Sequence, residues 1–229
     1  MKISKNFQKV LKDLDLEKTY DPLEAIKILK EKSFVKFDET VDISIKLNID
    51  SNKTDQNIKG VINLPKGTGK KIIVAVISSE EKLNDAKENG ADLSGGVELI
   101  EEISSNKIKF DILIASPEMM PALGKVAKIL GPKGLMPNPK LGTVTQDIKN
   151  AVENAKAGQV QFKNDKAGIV HAGIGKMNFN ENDLLENLKA FFTSISKNKP
   201  DAVKGSFVKK VTIASTMGVG LEVNLISLR

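Results

Sequence analysis

Histidine and cysteine, the side chains most often used in nucleophilic and metal-assisted catalysis, are almost absent from this sequence. His171 is the only histidine, and the chain contains no cysteine. One imidazole cannot build the usual two- or three-histidine metal site, and none is left to complete a Ser-His nucleophile system. A lone histidine in a strand is more often structural or exposed than catalytic. The sequence therefore predicts no catalytic site and no metal site.

Residues 66–71 (KGTGKK) invite comparison with a phosphate-binding loop. A Walker loop needs Gly, four residues and then Gly-Lys-Ser/Thr, but Leu64 and Lys71 occupy its first glycine and its hydroxyl position. No G-x-G-x-x-G follows either buried strand, and no spacing of carboxylates recommends an acid–base pair. We therefore expect a hinge turn at this segment, with no nucleotide, no cofactor and no enzymatic activity.

The chain is basic, and nearly all of its positive charge is lysine. Lys plus Arg total 35 against 29 for Asp plus Glu, and Arg229 is the only arginine. Three clusters hold at most one acidic residue: Lys2, Lys5, Lys9 and Lys12; Lys125, Lys128, Lys133 and Lys140; Lys197, Lys199, Lys204, Lys209 and Lys210. A solvated face explains any one cluster, but the set favours a polyanionic partner. Lysine lacks the planar fork that reads guanine, which excludes arginine-led base readout.

Targeting signals are not evident. No apolar run approaches the roughly 20 residues that a membrane helix requires. The basic residues 1–5 are not followed by the apolar segment of a secretory signal. We expect a cytoplasmic protein with no membrane partner.

The elements that must position any binding residues follow two patterns. Residues 40–49 alternate apolar and polar side chains, as in a half-buried strand of an antiparallel sheet. The alternating pattern returns after Gly158, which predicts further strands at residues 159–163, 167–172, 207–215 and 221–225. Between them, apolar runs at residues 72–77 and 112–115 alternate with helical segments at residues 80–89, 97–104 and 117–130, which indicates βαβ units. Further helices are predicted at residues 5–16, from Asp21-Pro22 onward, and around residues 184–195.

These patterns predict two domains. The first is an α+β domain, an antiparallel sheet with helices, split between both chain ends as residues 1–65 and 158–229. The second is an inserted α/β Rossmann-like domain at residues 66–157. Two strands would link them near Pro65 and Gly158, and a paired linker is a natural hinge.

The most unusual segment is residues 129–144 (ILGPKGLMPNPKLGTV), which holds three Gly, three Pro and two Lys. A rigid loop between helices is the simpler interpretation. A basic loop stiffened by proline, with glycine allowing close approach, also suits a phosphate backbone.

This run, with residues 36–41 (KFDETV), 51–57 (SNKTDQN) and 216–218 (TMG), closely resembles the bacterial ribosomal protein L-one family of the mobile side stalk. The resemblance covers essentially the whole chain. It implies a structural constituent of the large subunit, monomeric within the ribosome, whose first domain binds 23S rRNA. It also implies assistance to the release of deacylated tRNA from the exit site, and repression of the protein's own mRNA through a similar RNA shape.

Carried over residue by residue, the resemblance implies an RNA-binding face on the first domain. That face comprises Lys36, Phe37, Thr40, Asp165, Lys166, Gly168, His171, Thr216, Met217 and Gly218. A loop of the second domain would face rRNA or tRNA through Gly131, Lys133, Gly134, Asn138 and Lys140. Threonine hydroxyls and glycine backbone groups can meet a 2′-hydroxyl or phosphate, while Phe37 and Met217 can rest on ribose or base faces.

Alternatives stay open for several of these residues. Phe37 can be a core residue at a helix end, residues 216–218 can be an ordinary strand turn, and His171 can pack beside the face without touching RNA. Where relatives use arginine against phosphate, this chain must use lysine. Two other functions compete: a nucleotide-dependent enzyme built on the insert, and a general DNA-binding protein that would not prefer RNA.

Overall fold

The computed structural model describes residues 5–12, 14–15, 18–51, 53–79, 86, 89–105, 108–200, 203 and 205–228. The chain divides into two compact units, one formed by Met1–Lys70 with Val160–Arg229 and the other by Lys71–Gln159. The helix predicted at residues 80–89 falls almost wholly outside the described residues. So do Lys2 and Lys204 of the lysine clusters and Asn52 of the 51–57 motif.

The described helices and strands are numbered in chain order. They are α1 (Lys5–Lys12), β1 (Thr19–Tyr20), α2 (Pro22–Glu31), β2 (Thr40–Leu47), β3 (Lys59–Asn63), β4 (Val74–Ile77), β5 (Leu93–Gly95), α3 (Val97–Ser104), β6 (Ile112–Ala115), α4 (Met120–Leu123), α5 (Ala127–Lys133), α6 (Ile148–Lys156), β7 (Gln159–Lys163), β8 (Ile169–Lys176), α7 (Glu181–Lys197), β9 (Val208–Ser215) and β10 (Leu221–Val223).

The first unit is built on a five-stranded sheet in the order β1-β10-β9-β2-β8. Strand β2 pairs antiparallel with β8 on one side and β9 on the other. Its alternate residues Val41, Ile43, Ile45 and Leu47 are at most 2% exposed. This confirms the predicted alternation, and it fixes the register because a one-residue slip would turn every one of these side chains to water.

Two helices cover only one face of that sheet. The apolar stripe of α7 includes Leu184, Leu188 and Phe191, each 0% exposed, and it packs with α2 against the strands. Helix α2 begins at Pro22 as predicted, although the Asp21 side chain makes no capping bond. The opposite face carries the polar residues of the alternation, and no helix among the described residues covers it.

The second unit holds a three-stranded parallel sheet in the order β5-β4-β6. All four residues of β4 are fully buried, because one apolar cluster lies on each face of the sheet. Helix α3 contributes Leu99 and Ile100 to one cluster, and α6 contributes Ile148 and Val152 to the other. The continuous apolar runs at residues 72–77 and 112–115 therefore correctly predicted β4 and β6 as strands covered on both faces. Strand β5 is too short to show a hydrophobic pattern.

The helix predicted over residues 117–130 is segmented. Two 3-10 turns, Pro117–Met119 and Gly124–Val126, alternate with α4 and α5. Helix α5 also continues through Pro132, so the loop expected from residue 131 begins later. Gly134 ends the helix with φ of 71°, and Leu135 N donates to Leu130 O at 3.1 Å. This left-handed glycine closure, not the proline, sets the boundary.

A buried asparagine joins α7 to the chain that follows β3. Asn187 is 0% exposed; its Oδ1 accepts from Lys66 N at 3.0 Å, and its Nδ2 donates to Gly67 O and Ile174 O. Within the described residues, no helix is long and apolar enough to span a bilayer.

Replacing Asn187 with leucine should lower the free energy of unfolding by about 2–3 kcal/mol, because the Lys66 amide and the two carbonyls lose their hydrogen-bond partner. Urea unfolding measures this change. Asn182→Leu, at an exposed position of the same helix, is the control and should cost less than about 0.5 kcal/mol. Equal losses in the two variants would contradict the role given to Asn187.

Candidate nucleic-acid interface

The open face of the first unit's sheet is a continuous polar surface. Its central row, on β2, is Thr40, Asp42, Ser44 and Lys46. Ser44 pairs in register with His171 on β8 and with Thr212 on β9. Eight residues of strand extend about 23 Å at roughly 3.3 Å per residue. Among the strand residues of this surface, sequence reasoning took only Thr40 and His171, although the alternation that predicts β2 also assigns Asp42, Ser44 and Lys46 to it.

One end of this surface is the turn between β7 and β8. The Asp165 carboxylate accepts hydrogen bonds from the backbone amides of Ile169 at 2.8 Å and Ala167 at 2.9 Å. The Ile169 amide is the main reason that the pKa of Asp165 is lowered, with His171 adding to it. Gly168 has φ of 73°, and a side chain there would press on Ile49. The turn is therefore fixed around an ionised carboxylate, with Lys166 exposed on it.

His171 links this turn to the middle of the surface. Its Nδ1 lies 3.0 Å from Ser44 Oγ, and its Nε2 lies 3.8 Å from Asp165 Oδ2. The imidazole is 59% exposed, so its outer edge can donate to or accept from a bound molecule. The neighbouring Asp42 has a raised pKa because partial burial disfavours its charge, an effect that Lys176 and His171 oppose.

The other end of the surface is the turn at residues 216–218, which is bonded to the start of β2. Thr40 N donates to Thr216 Oγ1 at 3.1 Å, and the Thr216 hydroxyl lies 3.3 Å from Thr40 O. Lys176 Nζ donates to Thr40 Oγ1 at 3.0 Å and to Asp38 O at 3.3 Å. Residues far apart in sequence therefore converge here, as the proposed face requires.

A buried carboxylate holds the backbone of this turn. Glu39 is 2% exposed. Its Oε1 accepts from Met217 N at 2.8 Å and from Ser215 Oγ at 3.1 Å, while its Oε2 accepts from Ser33 Oγ at 2.7 Å. A side chain at Gly218 would collide with the Ser215 hydroxyl. Sequence reasoning missed Glu39, since an acid one residue before a strand looks like any surface acid.

Two large apolar side chains stand exposed beside these fixed polar groups. Phe37 is 55% exposed and Met217 is 52% exposed. The alternative that Phe37 belongs to the core is therefore wrong. Residues 216–218 do form the turn between β9 and β10, with their backbone committed to Glu39 and Thr40. Exposed apolar surface next to oriented polar groups is what contact with a ribose or a base needs.

In the second unit, the expected nucleic-acid loop is half helix and half turn. Gly131 and Lys133 lie in α5 and Gly134 ends it, all exposed. Asn138 is held by Thr143, whose hydroxyl accepts from Asn138 N at 2.8 Å and lies 3.2 Å from its carbonyl. The backbone of Lys140 follows in a 3-10 turn, Pro139–Leu141. These five residues are near one another along the chain, on a segment held by its own hydrogen bonds.

Lys66, the first residue of the segment at residues 66–71, does not offer a free ammonium to a phosphate. Lys66 Nζ lies 3.4 Å from Asp183 and 3.5 Å from Glu186, and these carboxylates, Asp183 first, raise its pKa. Gly67 and Gly69 have φ of 67° and 69°, as tight turns require. Among the described residues, no three or more His, Asp or Glu side chains are grouped so that they could hold a metal ion.

A sheet covered by helices on one side, with a polar face whose two ends are fixed by hydrogen bonds, makes the first unit an α+β domain. Residues 29–219 match the model of the Ribosomal protein L1p/L10e family. Proteins called large ribosomal subunit protein uL1 from Rickettsia conorii (strain ATCC VR-613 / Malish 7) and Rickettsia bellii (strain OSU 85-389) are each 54% identical over 209 residues, covering 91% of this chain and 87% of the relative.

The chain belongs to the Ribosomal protein L1p/L10e family. This confirms the resemblance inferred from the motifs. The family consists of structural ribosomal proteins, so the expectation that the chain is not an enzyme is also confirmed, and the competing nucleotide-dependent enzyme is set aside. Its location is that of bacterial ribosomes, the cytoplasm.

Removal of the Glu39 carboxylate should destabilise the protein. Glu39→Ala leaves three donors without their acceptor, among them the buried Ser215 hydroxyl, and should lower the free energy of unfolding by about 2–4 kcal/mol. Glu39→Gln keeps one acceptor oxygen for Met217 N and should cost less than about 1 kcal/mol. Urea unfolding compares both with Glu31→Ala, an exposed acid at the end of α2. If glutamine is as damaging as alanine, or alanine as mild as the control, Glu39 does not hold the turn.

Proposed function

We propose that the open face of the first unit binds a folded helix-and-loop element of 23S rRNA at the mobile side stalk of the large ribosomal subunit. The observation that carries this proposal is the turn at residues 216–218, whose backbone is fixed by the buried Glu39 and tied to Thr40. Family membership supports a ribosomal partner. The second fixed end, at Asp165 and His171, gives the face enough length to contact RNA at two places.

Recognition would depend on shape and on 2′-hydroxyl groups. Thr40, Ser44 and Thr212 line the open sheet face with hydroxyls, which suit the shallow minor groove of an RNA helix. Phe37 and Met217 would cover riboses or bases at the turn. Lys36 and Lys166 are exposed at opposite ends and would meet phosphates as point charges. Without arginine forks, the face has little means of reading base edges in a groove.

The second unit would act as an inserted, Rossmann-like α/β domain, approximately residues 66–157, that assists the release of deacylated tRNA from the exit site. Its exposed Gly131, Lys133 and Gly134 lie at the end of α5, where a small, basic surface allows close approach of a phosphate backbone. The contacts of this segment would be fewer than those of the first unit, since it offers only Lys133 and Lys140 as cations between residues 131 and 142.

The same face would also repress translation of the protein's own mRNA. A surface that reads shape binds any RNA with the same fold, so a message that presents a similar helix-and-loop competes with rRNA for one site. A single face per chain is enough for both roles, which agrees with a monomer inside the ribosome.

The test is binding to an rRNA fragment carrying the side-stalk junction, compared with duplex DNA across a salt series. Wild type should prefer the RNA clearly. Thr216→Ala and Met217→Ala should each weaken RNA binding by roughly tenfold, because each loses a contact worth on the order of 1–2 kcal/mol. The logarithm of the binding constant should fall linearly with the logarithm of salt concentration. Each neutralised phosphate contributes roughly 0.7–0.9 to that slope, so the slope should correspond to a handful of phosphate contacts.

Thr193→Ala, at an exposed position on α7, is the matched control and should bind RNA like wild type. If DNA binds as well as RNA and the two turn variants match this control, the face is only a generic basic surface. The general DNA-binding alternative would then be preferred.

A further inference from the structure

We propose that α1 is a second RNA-binding element, which contacts backbone phosphates through Lys5, Lys9 and Lys12 when RNA occupies the open face. This inference rests on the proposed function and extends it to a helix to which no role has been given. Three features of α1 carry the argument: its position, its charge, and its dependence on the body of the unit.

The position of α1 places it directly behind the turn at residues 216–218. Val10 and the following Leu14 line a small cavity together with Ser215, Gly218 and Val219. The cavity measures about 10 Å³, no more than a single water needs, so the helix packs closely there. Leu14 is also part of the apolar packing of the first unit. An RNA held on the turn would therefore pass near α1.

The charge of α1 is concentrated on one side. Lys5, Lys9 and Lys12 are spaced four and three residues apart, which places them on one stripe of a helix, and all three are exposed. The helix contains no acidic residue. None of the three ammonium groups is paired with a carboxylate among the described residues. At about 1.5 Å per residue the stripe extends roughly 10 Å, long enough for two or three successive phosphates.

This arrangement is unfavourable for the helix by itself. Like charges three and four residues apart repel, and Lys5 lies at the positive end of the helix dipole. Eight residues are also fewer than the roughly 12 to 15 that an isolated helix needs. Packing of Val10 and Leu14 against the turn holds the helix in place, and a row of phosphates would relieve the repulsion. The stripe thus has the charge and spacing of a phosphate contact.

The experiment compares the triple variant Lys5→Gln/Lys9→Gln/Lys12→Gln with wild type, using the same rRNA fragment and salt series. Glutamine keeps the helix propensity and removes the charge. The triple variant should bind roughly tenfold more weakly at about 50 mM salt, and its salt slope should be shallower by about two. Replacing the same three lysines with arginine should restore both values.

A second triple variant, Lys27→Gln/Lys149→Gln/Lys189→Gln, removes the same charge from exposed positions of α2, α6 and α7. If this control lowers affinity and slope as much as the α1 variant does, the effect is one of net charge and the proposal is wrong.

The outcomes also separate this proposal from the function on which it rests. If wild type binds RNA and the turn variants weaken it while the α1 variant binds like wild type, only the role of α1 is refuted. If wild type does not prefer the RNA at all, the proposed function fails and the role of α1 fails with it.

Discussion

The carboxylate of Glu39 makes the interactions on which the proposed binding face depends. A buried charge is costly unless its lone pairs are satisfied, and here three donors from two distant parts of the chain satisfy them. Ser33 precedes the carboxylate, while Ser215 and Met217 lie about 176 to 178 residues beyond it. The same bonds that make the burial tolerable also fix the end of β9 and the turn that follows. Stability and the shape of the face therefore have one physical origin.

The sheet extends this local order along the face. Because α2 and α7 cover only one side, the polar side chains of β2, β8 and β9 remain available. The pairing of Thr40 with Thr216 at one end and of Ser44 with His171 in the middle places these groups on a rigid pleated surface. A face that is ordered before binding loses less conformational entropy when RNA arrives. That rigidity suits recognition of a folded RNA, whose own shape is also largely fixed.

Local patterns in the sequence predicted the elements with strong periodicity. The alternation over β2 and the apolar runs over β4 and β6 correspond to one-sided and two-sided burial, and α3 matches residues 97–104. Short elements such as β1 and β5 carry too few residues to show a period. The end of α5 beyond Pro132 depends on Gly134, which takes a positive φ that composition does not reveal.

The residues of the candidate site could be predicted only in part from the sequence. The residue types came from resemblance to a family, and the fold brings Thr216 to Thr40 and His171 to Asp165. The role of Glu39 was beyond sequence reasoning, because Ser215 and Met217 are distant in the chain and nothing local marks the Glu39 side chain as buried. The polar residues on the open side of β2 could have been predicted, since the alternation that identifies the strand also identifies which of its side chains face away from the core.

Amide resonances in the presence and absence of the rRNA fragment test the central claim most directly. In the free protein, the Met217 amide should exchange slowly with solvent, although its side chain is exposed, because it donates to a buried carboxylate. Addition of RNA should then shift the resonances of residues 216–218 and of His171, and leave those of exposed α7 positions such as Thr193 unchanged. Fast exchange at Met217, or an RNA titration that does not move the turn, would contradict the claim that this fixed turn forms the binding site.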